Sequence, residues 1–165
     1  MTDLNSIHTI VLLAAALPFI HAAISDVRRY AIPHVCTLVL LALYPLHVWL
    51  APVDINVIAS VIVAATAFAI CFTFFALNRL GGGDVKLITV AALWAGPALI
   101  ADFTMIMAFA GAVLSLVYLT HFYVAPALGF DIAGMRGYRN SMAIKLPYGV
   151  AIATGGFWAL LQLAQ

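Results

Sequence analysis

The sequence predicts an all-α, polytopic membrane fold: six transmembrane helices forming one domain over residues 1–165. Three observations carry that expectation. Hydrophobic residues fill 66% of the chain and charged residues only 8%, against about 25% charged in a typical soluble domain. The charges lie far apart, leaving charge-free intervals at 4–25, 30–53, 55–78, 87–101, 103–130 and 146–165. These intervals are continuously apolar rather than alternating, which favours helices over a β-barrel, the other structure that satisfies its backbone in lipid. The same composition excludes a disordered chain. A net charge of +1 gives no case for a nucleic-acid partner. Cys36 and Cys71 both sit in apolar runs and offer neither a disulfide framework nor a cysteine-based zinc site.

Crossing about 30 Å of hydrocarbon takes about 20 mostly apolar residues, which sets the elements in order. The first helix is expected over 7–25. It should be retained, because residues 1–8 contain no Lys or Arg and a cleavable signal begins with a positive segment. The second is expected over 34–51, after Pro33, and the third over 56–77. The fourth interval is the shortest and reaches spanning length only if its helix starts near Gly83, giving 84–101 with Asp84 and Lys86 at the interface. Asp102 then separates it from the fifth helix, 103–125, which Pro126 ends, leaving 127–145 as a partly ordered loop. The sixth runs over 146–164, with Pro147 in the first turn, where a missing N–H costs little.

The basic residues orient the bundle. Arg28 and Arg29 fall between helices 1 and 2, Arg79 and Lys86 between 3 and 4, and Arg136, Arg139 and Lys145 between 5 and 6. All seven thus share one side, while Asp3, Asp54 and Asp102 face the other. The positive-inside rule places the basic loops in the cytoplasm and both termini outside. Losing one helix from the count would scatter the charges.

Two aspartates share the cytoplasmic side. Asp26 closes helix 1, and Asp84 follows Gly81-Gly82-Gly83 at the start of helix 4. A carboxylate at a membrane boundary either marks a helix end or faces protein or a water-filled cavity. Three consecutive glycines are poor helix formers. They serve as a bare turn, or they leave room for an extended peptide to approach the backbone beside Asp84. Lys145-Leu146-Pro147-Tyr148-Gly149 opens helix 6 on the same side.

Asp26-x5-Ile32-Pro33, Gly81-Gly82-Gly83-Asp84-Val85-Lys86 and Pro147-Tyr148-Gly149 together resemble the type IV prepilin peptidases, polytopic aspartic proteases of the Gly-x-Gly-Asp class. The resemblance covers essentially the whole chain. It implies Asp26 and Asp84 as the catalytic pair, supported by Gly81, Gly82, Gly83, Lys86, Ile32, Pro33, Pro147, Tyr148 and Gly149. One position departs from the pattern: His34 stands where the family usually has a small polar residue. Larger members carry a cytoplasmic segment with paired Cys-x-x-Cys motifs and also methylate the product. This chain shows no such motif, so the resemblance is to the short, peptidase-only form of tight-adherence (Flp-type) pili. The substrates implied are prepilins and pseudopilins, each with a basic leader ahead of a hydrophobic helix, cut at the cytoplasmic face of the bacterial inner membrane.

The chemistry such a pair offers is peptide hydrolysis by two carboxyls that share one proton. It needs no cofactor or metal, and His8, His21, His34, His47 and His121 have no ligand spacing. Two other classes stand beside the peptidase. A small proton-coupled transporter would relay protons through Asp26 and Asp84, and would be expected to hold ionisable groups deeper in its spans, where only histidines occur. A structural subunit of a pilus or secretion assembly would use its small residues for helix packing, the role expected of Ala92, Gly96, Gly155 and Gly156. The sequence leaves a homodimer open.

Overall fold

The structure is a computed structural model and describes residues 2–121 and 146–165. Arg136, Arg139, Lys145, Pro126 and the loop expected over 127–145 lie outside the described residues. Five helices follow in order: α1 (Thr2–Arg29), α2 (His34–Leu50), α3 (Val57–Ala76), α4 (Gly82–Leu119) and α5 (Tyr148–Leu163). The starts of α2, α3 and α5 fall within two residues of the expected ones. Pro33 in extended conformation leads into α2, and the Asn56 side chain caps α3 by accepting the Ala59 N–H at 3.0 Å. By length and composition α1 (over Ser6–Arg29), α3 and α4 are apolar enough to cross a membrane, and α2 and α5 are shorter apolar helices.

α4 corrects the expected boundary between the fourth and fifth helices. The break lies at Gly96, not at Asp102. Gly96 adopts φ 56°, ψ −170°, far from the helical φ near −63°, and a left-handed φ is one that glycine accepts without a Cβ penalty. Pro97 then starts the second arm with its φ preset for a helix. The two arms, 82–95 and 97–119, fold back on each other. Leu80, just ahead of the first arm, and Ser115, late in the second, line one cavity of about 300 Å³. On a straight rod of 35 residues they would stand about 50 Å apart. Asp102 is an exposed residue inside the second arm. Gly96, expected to serve packing alone, is the turn itself.

Packing then fixes the order of the helices in space. α4 lies against α3 and α5, and α1 lies against α2 and α5. Phe19 of α1 covers Gly156 so closely that a Cβ there would fall 2.5 Å from the ring. A Cβ at Gly155 would fall 2.8 Å from the Phe103 carbonyl oxygen. Small residues that let backbones approach in this way are the usual basis of helix association in lipid, and the packing role expected of Gly155 and Gly156 holds. α3 is the least enclosed helix, burying only Ser60 and Ala64. Outward-facing Leu13, Trp49, Ile58 and Phe109 present the apolar surface that lipid requires.

The pairings also define two ends. His8, near the start of α1, meets His47, near the end of α2, with Nε2 and Nδ1 2.9 Å apart. Asp26, near the end of α1, meets Gly149 at the start of α5. Both termini therefore lie at the histidine end, and Asp26 and Asp84 lie at the other, together with Arg28, Arg29, Arg79 and Lys86. At the histidine end the His47 ring stacks on Trp94, with centroids 4.8 Å apart, and Tyr44 meets the same indole edge-on. The Trp94 N–H donates to the Leu40 carbonyl at 3.1 Å.

Candidate active site

The residues around Asp26 are placed by the way α1 ends. Tyr30 takes a left-handed φ of 51°, and its N–H closes the last turn on the Asp26 carbonyl at 2.9 Å. The chain reverses there, and Ile32 turns inward to the first arm of α4. Arg28, Arg29 and Tyr30 are exposed, whereas Asp26 among them is buried, at 6% of its free surface. Of the two readings of a boundary carboxylate, facing protein is the one that applies to Asp26.

What Asp26 faces is the start of α5. The Gly149 backbone N–H donates to Asp26 Oδ2 at 2.6 Å, across 123 residues of sequence. A first-turn N–H has no partner inside its own helix, so Asp26 satisfies a donor that α5 leaves open. Pro147 is buried and precedes the helix in a non-helical conformation, supplying no N–H of its own. A Cβ on residue 149 would stand 2.9 Å from both the Asp26 Cβ and its Oδ2. Glycine is therefore required at 149 by space.

Asp84 is held in a parallel way. It sits in the first turn of α4, half-buried, and the Gly81 backbone N–H hydrogen-bonds its carboxyl. The three glycines before it each make room for a different neighbour. A Cβ on Gly81 would lie 2.7 Å from Asp84 Oδ2, one on Gly82 would lie 3.3 Å from the Phe75 ring, and one on Gly83 would lie 3.1 Å from the Ile32 Cβ. None of the three needs a left-handed φ, so the run acts through space rather than through backbone freedom. Ile32 is buried against Gly83, which joins the first motif to the second.

Asp26 and Asp84 lie within electrostatic reach of each other, and Cys71 of α3 lies within reach of Asp84. The structure thus brings together Asp26, Ile32, the Gly81–Gly83 run, Asp84 and Gly149, with Pro33 and Pro147 shaping the turns beside them. It leaves Lys86 exposed. Tyr148 is partly exposed, and His34, the position that departs from the family pattern, is exposed as well. Cys71 stands in an apolar run of the sequence, where nothing signals its place within reach of Asp84. Among the described residues no group of three or more His, Cys, Asp or Glu could hold a metal ion.

Two carboxyls within electrostatic reach, each with one glycine N–H on it, are the groups from which acid–base chemistry at this end of the bundle can be built. No curated protein and no solved structure matches the chain. Residues 11–116 match the model of the type IV leader peptidase family. That span contains Asp26, Ile32, Pro33 and the whole Gly81–Lys86 segment; Pro147, Tyr148 and Gly149 fall beyond it. The match covers well over half of the chain, and with its apolar helices the protein is a membrane protease belonging to the type IV leader peptidase family.

Proposed function

We propose that the protein is an aspartic endopeptidase that removes the leader from Flp-type prepilins at the cytoplasmic face of the inner membrane, with Asp26 and Asp84 as its catalytic pair. The observation that supports this reading is that the two carboxyls share the basic end of the bundle, within electrostatic reach of each other and each with a glycine N–H on it. One acid, ionised, takes a proton from water as the water oxygen bonds to the scissile carbonyl carbon. The other, protonated, gives its proton to the carbonyl oxygen. The tetrahedral adduct then collapses, the C–N bond breaks, and the amine leaves with a proton from the pair. Two carboxyls at close range hold one shared proton more readily than two charges, and that is the starting state this sequence of transfers requires.

The polarity of the bundle supports the same reading. Arg28, Arg29, Arg79 and Lys86 gather at the end that holds the acids, the side that stays in the cytoplasm. Six crossings follow if each arm of α4 counts as one. A substrate whose basic leader lies in the cytoplasm, ahead of a hydrophobic helix, presents its cleavage point at that level.

The test is cleavage in proteoliposomes of a synthetic substrate with a lysine-rich leader and an apolar helix. Wild type should cut at the leader boundary, with no loss in a chelator. Asp26→Asn and Asp84→Asn should insert normally and fail to cut. Robust cleavage by either variant would sink the aspartic assignment.

A further inference from the structure

We propose that Ser25 is a positioning residue for the pair of acids. Its hydroxyl ties down the reverse turn that seats Ile32 on the Asp84 loop, and through that turn it sets where Asp26 stands relative to Asp84. This rests on Asp26 and Asp84 being the catalytic pair.

The direction of one hydrogen bond marks Ser25 out. Thr66, Thr73, Thr89, Thr104, Ser115 and Thr154 each donate to the carbonyl four residues back along their own helix, the usual habit of a helical hydroxyl. Ser25 reaches forward instead, past the end of α1, and donates to the Ala31 carbonyl at 2.8 Å. Ala31 belongs to no helix, so the bond fastens a loop to the helix that carries Asp26.

The turn needs such a tie because its backbone is strained. The Tyr30 N–H closes α1 on the Asp26 carbonyl with Tyr30 at φ 51°. Helices commonly end through a residue of left-handed φ, but that residue is usually glycine. With a Cβ present the conformation crowds the carbonyl that follows, and it persists where its surroundings over-determine it. Two contacts do so here. Ser25 holds the turn from the α1 side, and buried Ile32 holds it from the α4 side.

The second contact reaches Asp84. A Cβ on Gly83 would lie 3.1 Å from the Ile32 Cβ and 3.6 Å from both its backbone nitrogen and its carbonyl oxygen. Ile32 therefore meets Gly83 with side chain and backbone alike. The segment from Ser25 to Ile32 begins one residue before Asp26 and ends against the residue just before Asp84. Pro33 follows at once, with a φ of −64° that its ring fixes, which leaves the turn little slack on the α2 side.

The experiment compares Ser25→Thr with Ser25→Val, side chains of one shape of which only the first keeps the hydroxyl. Each full-length variant is reconstituted in proteoliposomes and given the substrate with a lysine-rich leader and an apolar helix. Ser25→Thr should keep most of the wild-type kcat. Ser25→Val should lose about ten- to a hundred-fold in kcat, the scale of a displacement of up to about 1 Å at the reacting groups, with KM and the melting temperature in detergent little changed. A purely structural role would lower the melting temperature and leave kcat per folded molecule as it was. That outcome, or a loss in Ser25→Thr as large as in Ser25→Val, overturns the assignment and leaves the peptidase standing. Failure of wild type to cut the substrate overturns the peptidase reading and the role of Ser25 with it.

Discussion

The two ends of the bundle both bury polar side chains and use them in opposite ways. At the histidine end, His8 and His47 satisfy each other, His47 stacks on Trp94, and Trp94 donates to a carbonyl of α2. Side chains there bond to side chains and rings fill the gaps. At the other end, Asp26 and Asp84 each take one backbone N–H from a glycine, and the positions around them are stripped to hydrogen. The first end is closed on itself. The second orients its carboxyls through backbone N–H groups rather than through other side chains.

Substitutions should separate the ends by what they damage. The largest effect belongs to the acids: Asp26→Asn or Asp84→Asn should lower cleavage at least about a thousand-fold, as loss of an essential acid or base does, with the melting temperature in detergent little changed. Second comes Gly149→Ala. Its Cβ lands 2.9 Å from the Asp26 Cβ, so Asp26 must move, and a displacement of about 1 Å is worth about a hundred-fold in rate. Gly83→Val should cost activity through Ile32, whereas Gly155→Val, facing the Phe103 carbonyl at 2.8 Å, should cost expression and thermal stability. Equal activity losses at equal expression would erase the distinction between the ends.

Smaller effects are expected at the histidine end. His47→Leu leaves His8 without its partner and should destabilise by about 1 kcal/mol, the scale of a polar contact between membrane helices, with kcat per folded molecule unchanged. Tyr44→Phe should be the mildest. The Tyr44 hydroxyl is buried and has no hydrogen-bond partner among the described residues, so its removal should be neutral or slightly stabilising in a thermal melt. A loss of activity in Tyr44→Phe at normal stability would give the closed end a role in the reaction.

Much of this arrangement was legible in the sequence. The starts of α2, α3 and α5 follow from charge and hydropathy, whereas α1 runs over Thr2–Arg29, past both ends of the expected 7–25; the shared end of Asp26 and Asp84 follows from alternation of the helices. The turn in α4 lies away from the place that charge marks, because Asp102 sits inside the second arm rather than at a helix end. The Gly96-Pro97 pair is the better marker, since that dipeptide combines a residue free to take positive φ with one that restarts a helix. The His8–His47 pair was illegible for a different reason: 39 residues separate the two rings, and no local period connects them. Gly149 could be found through family resemblance alone, because its hydrogen bond to Asp26 depends on how α1 and α5 cross. The glycine run is visible in the sequence, but the neighbours beside it, Phe75 and Ile32 among them, are not.

The fold at Gly96 leaves the first arm of α4 only 14 residues long, from Gly82 to Ala95, or about 21 Å. Hydrocarbon is about 30 Å thick, and α5, with 16 residues, reaches about 24 Å. The two elements that carry Asp84 and the Gly149 donor are thus shorter than the hydrocarbon is thick, as is α2 with 17 residues and about 26 Å, while α1, at 28 residues and about 42 Å, exceeds it. A span shorter than the hydrocarbon is met by thinning of the bilayer, among other adjustments, at a modest cost per ångström of mismatch. On the function proposed above, such thinning beside α4 and α5 would bring water to Asp26 and Asp84. Turnover in vesicles should accordingly fall as the acyl chains are lengthened, with the protein unchanged.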